Sequence, residues 1–195
     1  MQRFIEKRRV ELHPSVYLAW FIANREAALA GCACVTPPHV LLGVLKILDD
    51  SYDREAEAAR MGAGELGRID EAVGACGPLL QMSGAELTAA RRGLHKALPD
   101  NNSGERPPRV RMLQWSGDSL FLHQKLVARA MNESGRTITL AHLLEELLEN
   151  LPPEAMPFFR SHPRARAALD SSGDGQSQAQ YDSPLWASSA EPDEE

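Results

Sequence analysis

The chain repeats itself at one fixed interval, and this duplication limits the folds open to it more than any other feature. The block Val35-Thr36-Pro37-Pro38-His39-Val40-Leu41-Leu42 returns as Ile138-Thr139-Leu140-Ala141-His142-Leu143-Leu144, an offset of 103 residues from His39 to His142. The register holds through the preceding segment, where Leu12 matches Trp115, Val16 Ser119, Ala23 Leu126, Ala27 Ala130 and Gly31 Ser134. Each copy reads as a helix, a short loop and a second helix opened by a threonine. Two such halves can bury their apolar faces on each other, which predicts a pseudo-symmetric helical domain.

Punctuation places the helices. Pro14 and Ser15 open one that runs to about Ala30 and closes at Gly31; Thr36 caps a second, with Pro37 at the first helical position, where its missing donor costs nothing. Val40, Leu41, Val44, Leu45 and Leu48 recur at helical spacing along it. Further helices are predicted over 52–61, 65–75, 84–98, 118–133, 139–150 and 154–168. No segment reads as a convincing strand, so the class is all-α. The expected organisation is an N-terminal arm over 1–11, a domain over 12–169 and a tail over 170–195. Within the domain, repeat one spans 12–75, an insertion with its own helix 76–114, and repeat two 115–169.

At 195 residues and 43% apolar content the chain can fill a core without disulfides or metal. Three cysteines, Cys32, Cys34 and Cys76, are an odd count with no signal peptide before them, which points to a reducing, cytoplasmic setting. No apolar run reaches the roughly 18 residues of a membrane span. Seven of the 27 acids lie from Asp170 onward and none of the 21 lysines and arginines do, so the body carries +1 and the end is an acidic disordered tail or linker. Within that end, Tyr181-Asp182-Ser183-Pro184-Leu185-Trp186 is the one apolar cluster, a docking motif or plain spacer. A near-neutral body argues against nucleic acid, which needs a concentrated basic face; Arg106, Arg109 and Arg111 beside Pro107-Pro108 make only a short basic loop.

The pattern Ala23, Ala27, Gly31, Val35, Thr36, His39, Leu41, Leu42 and then Met61-Gly62, repeated once, resembles the N-terminal Clp repeat domain of Clp-type AAA+ unfoldases. The resemblance covers about Leu12 to Val73 and Trp115 to Ala168. It implies an eight-helix, two-fold pseudo-symmetric module that performs no chemistry and needs no cofactor. The implied partners are protein substrates, adaptor proteins or a Clp unfoldase, with the module a monomer or weak dimer and no role for nucleic acid or membrane. His39 and His142 are structural in that family. Leu12-His13-Pro14 followed by Tyr17 is similar to the start of the ClpV-like N-domain, which grips a helix of the type VI secretion sheath; an amphipathic helix in an apolar groove is the mode this implies.

The departures are as informative. No G-x-x-x-x-G-K-[ST] phosphate loop is present, and the copies stand farther apart than in typical family members. Some family members bind phosphoarginine through a threonine at the start of the first helix and a glutamate just before the repeated histidine. Here those positions hold His13 and Pro38, then Ser116 and Ala141, so no phosphoarginine recognition is expected there. The first helix of each copy carries more apolar residues than one core face needs: Tyr17, Leu18 and Phe21, then Leu120 and Phe121. A helix apolar all round must be covered by something. Either the inserted helix lies over this surface, or Phe4, Tyr17, Leu18, Phe21, Leu120 and Phe121 form a partner groove or dimer contact. His39 and His142 have no recurring carboxylate or thiol at ligand spacing, and no nucleophile-elbow pattern accompanies the serines, so neither a metal site nor a catalytic one is expected. A retained scaffold serving self-assembly is the alternative to recognition.

Overall fold

The computed structural model describes residues 10–101, 112–133, 135–159 and 162. The chain order is β1 (Glu11–Leu12), α1 (Pro14–Leu29), β2 (Cys34–Val35), α2 (Pro37–Leu48), α3 (Arg54–Met61), α4 (Ala63–Leu80), α5 (Gly84–Ala97), β3 (Gln114–Trp115), α6 (Gly117–Asn132), β4 (Thr137–Ile138), α7 (Leu140–Glu149) and α8 (Met156–Phe159). The protein is all-α in class, with strands of two residues each.

Local chemistry explains the boundaries. His13 caps α1, its Nδ1 accepting from Ser15 N–H at 3.3 Å, and Pro14 follows at the first helical position. At the far end, Cys32 N–H donates to Ala27 and Gly31 N–H to Ala28, the six-to-one and five-to-two bonds of a Schellman ending. That ending puts Gly31 at φ 66°, a conformation glycine adopts without strain. Asp53 caps α3 by accepting from Ala56 N–H at 3.0 Å, and Ser83 with Glu86 forms a capping box on α5.

The fourth helix extends beyond its predicted end near Ala75, through Pro78 to Leu80, and so enters the segment read as insertion. Pro78 has no N–H to donate to the carbonyl four residues back, and the helix runs only two residues further before Gln81 closes it at φ 48°. The short strands, unforeseen from the sequence, pair in parallel between distant segments: Glu11 with Thr137 and Leu12 with Ile138, Cys34 with Gln114 and Val35 with Trp115. Helix α8 occupies Met156–Phe159; of the helix predicted over 154–168, Glu154 and Ala155 form a turn instead, and residues 160, 161 and 163–168 lie outside the described residues, as do Phe4 and the tail over 170–195.

Helix α1 lies at the centre, packed on α2 and α4 and touching α7. Its approach to α2 is set by Gly43, where a Cβ would stand 2.3 Å from the Ala19 carbonyl oxygen. Trp20 of α1 stacks on Trp115 of β3, ring centroids 4.1 Å apart, and Ser119 Oγ donates to the Val35 carbonyl at 2.9 Å. The inserted helix α5 packs on α2 and α8, with Leu94 fully buried, and Asp49 at the end of α2 accepts from Thr88 Oγ1 and Arg91 Nε, both at 2.6 Å. No helix among the described residues is long and apolar enough to cross a membrane.

Candidate partner-binding surface

The surplus apolar residues of the two first helices have different fates. Leu18 is fully buried, a core residue and not a surface one, which corrects its assignment to a partner-binding set. The cause is that α1 is packed on two sides, by α2 and by the extended α4. What remains at the surface of α1 is one row at four-residue spacing: Tyr17 and Leu29 exposed, Phe21 and Arg25 half-buried. Helix α5 does not cover Tyr17, which stays 57% exposed; its main packing surfaces are α2 and α8.

Tyr17 lines a groove of about 700 Å³ with Val10, Leu12, Met61 and Arg68. Beside it the Arg60 guanidinium lies 4.0 Å from the Phe21 ring centroid while pairing with Glu57 at 2.7 Å, so Phe21 is roofed by a cation rather than bare. The groove's charges largely pair internally, Arg68 with Glu65 at 3.1 Å.

Phe121, also 57% exposed, belongs to a second groove of about 410 Å³. Its walls are Thr36-Pro37-Pro38 at the start of α2, Asp118, Phe121 and Leu122 of α6, Leu147 and Asn150 at the end of α7, and the Pro152-Pro153-Glu154 loop. Lys125 reaches Glu146 at 3.0 Å and Asn150 Oδ1 at 3.0 Å, and stands 5.1 Å from the Phe121 ring centroid. Leu120 is exposed on α6 but lines neither groove. Tyr17 and Phe121 therefore face two grooves instead of sharing one. The second was missed in the sequence because its carboxylates and prolines come from three separate segments; only Phe121 carried a signal.

The paired histidines sit as helix starters. His39 Nδ1 accepts from Thr36 N–H at 3.3 Å and stands 2.7 Å from Thr36 Oγ1; His142 Nδ1 accepts from Thr139 N–H at 3.3 Å, and Thr139 Oγ1 accepts from His142 N–H at 3.3 Å. The histidine takes the third-position role that Glu or Gln fills in the common capping box. Cys32 Sγ lies 3.6 Å from His39 Nε2. Burial lowers the His39 imidazole and, with Cys34 nearby, raises the Cys32 thiol, so the favoured state is a neutral thiol beside a neutral imidazole. A nucleophilic cysteine needs the opposite shifts. Burial also pushes the Cys76 thiol up to about 11. Among the described residues no group of three His, Cys, Asp or Glu side chains is placed to hold a metal ion.

No protein-family model, curated protein or solved structure matches the chain.

Proposed function

We propose that this chain is a protein-recognition module of the Clp repeat type, without ATPase or peptidase activity of its own, that receives protein substrates or adaptors for a Clp-type unfoldase in the cytoplasm. The observation that carries the reading is the reciprocity of the strand pairs. Moving Glu11 and Cys34 by the repeat interval gives Gln114 and Thr137, and Glu11 pairs with Thr137 as Cys34 pairs with Gln114. Each copy thus lends its first strand to the other's second, which is the contact pattern of a two-fold duplicated domain. The matched Thr-His starts of α2 and α7 support the same relation. Exposed aromatics beside grooves on two faces supply binding surfaces of the helix-in-groove kind.

The test is capture from host lysate on the immobilised full chain, with Tyr17→Ala/Phe121→Ala as the comparison. Recovery of an unfoldase, an adaptor or its substrates that the double variant loses supports recognition. Recovery of secretion-sheath protein narrows the module to the ClpV-like mode. Exposed Leu120 and Phe121 on α6 favour self-association as the second reading; a stable dimer by light scattering that the Phe121→Ala change dissolves would establish it instead.

A further inference from the structure

We propose that the groove between α6, α7 and the first turn of α2 binds a cationic amphipathic segment of a partner protein, one that carries lysines or arginines beside an apolar face. The inference rests on the protein-recognition reading and specifies the chemistry of one of its surfaces. Leu122 and Leu147 form an apolar floor and Phe121 an aromatic wall that stays largely exposed. Three carboxylates line the same groove: Asp118, Glu146 and Glu154. Lys125 neutralises Glu146 from within, the two being 3.0 Å apart. Asp118 and Glu154 form no ion pair among the described residues and are exposed, one on α6 and one on the loop after α7. An acidic rim over an apolar floor is complementary to a cationic amphipathic segment and repels an acidic one, and charges at a rim select partners more than they add affinity. The walls need no folding step on binding, because Pro37, Pro38, Pro152 and Pro153 hold the backbone on both sides. The Tyr17 groove has a less acidic rim: Arg60 and Arg68 stand in it, Arg68 pairing with Glu65, and Glu11 is its one other carboxylate.

The experiment is fluorescence anisotropy of the full chain with a short labelled peptide of leucines and lysines, and with its counterpart carrying glutamate for every lysine. The lysine peptide should bind saturably and at least about tenfold more tightly than the glutamate peptide. Asp118→Lys/Glu154→Lys, and separately Phe121→Ala, should each weaken it about tenfold, whereas Glu55→Lys/Glu71→Lys, the same charge change on α3 and α4, should leave it within about twofold. All these positions are exposed or on the rim, and an unchanged circular dichroism spectrum would verify the fold. Equal binding of both peptides, or equal loss from both charge reversals, would overturn the proposal. Binding that emerges only after removal of residues 1–9 would assign the groove to the chain's own Arg3-Phe4-Ile5 arm and overturn it as well. Failed peptide selectivity with capture of Clp components intact removes the groove assignment alone; selective peptide binding without such capture removes the Clp reading and leaves the groove.

Discussion

At some positions one added methyl group meets an obstacle that cannot move. Gly43 is the clearest, since an added methyl would meet backbone, the Ala19 carbonyl, rather than a side chain able to swing away. Gly43→Ala should therefore destabilise the protein by about 2 kcal/mol or more, read as a lower urea midpoint at unchanged slope. At Gly93 the obstacle is the Phe158 ring, 2.2 Å from the added carbon, and a ring can turn. Gly93→Ala should cost less than Gly43→Ala. Histidine protonation is the other residue-scale effect. Burial lowers the imidazoles of His13, His39 and His123 from their ordinary value of 6.5, at His39 against the opposing pull of Glu26 and Glu154. The unfolded chain then takes up protons that the folded chain refuses, so stability is full above 6.5 and falls as pH drops through it. His39→Gln keeps a side chain able to complete the capping box but removes the titration. Thermal melts at about pH 7.5 and 5.5 should show a smaller drop for this variant than for the natural chain.

At the level of elements, what could be read from the sequence was what depends on near neighbours. Thr36, Thr139 and Gly31 mark helix ends through bonds to residues a few positions away, and each does so in the structure. Leu18 could not be judged in this way. Its burial depends on α1 being packed by α2 and α4 together, a long-range outcome with no local sign. The strands escaped for another reason: two residues show no alternation, and their partners lie far along the chain, Thr137 for Glu11 and Gln114 for Cys34. Of the site, surplus apolar content singled out Tyr17 and Phe121 but left open whether the helix between the copies covers them, and Asp118 and Glu154 gave no sign of belonging together. Trp115 joins local and distant contacts, because it sits in β3 and stacks on Trp20 of α1. Trp115→Ala should cost about 3 kcal/mol, measured by chemical denaturation, more than an exposed change such as Leu120→Ala on the adjacent helix.

At the scale of the whole molecule, α5 packs into the fold and lines neither the Tyr17 nor the Phe121 groove. Helix α5 ties to α2 through Leu94 and the Asp49 pair with Arg91, and reaches α8 in the second half. Leu94→Ala should destabilise the protein by about 3 kcal/mol yet leave peptide affinity of the folded fraction unchanged. A combined urea titration and binding assay separates the two effects. The reciprocal strand pairs have one more consequence. Because β1 and β2 find their partners only in the second half, nothing in the pairing itself requires that half to come from the same chain. Deleting residues 102–111, which join α5 to the segment before β3, should keep the second half from folding back on its own first half while leaving every pairing edge intact. Two such chains can then trade second halves and close one another, giving an intertwined dimer by domain swapping where the natural connection gives a self-closed chain.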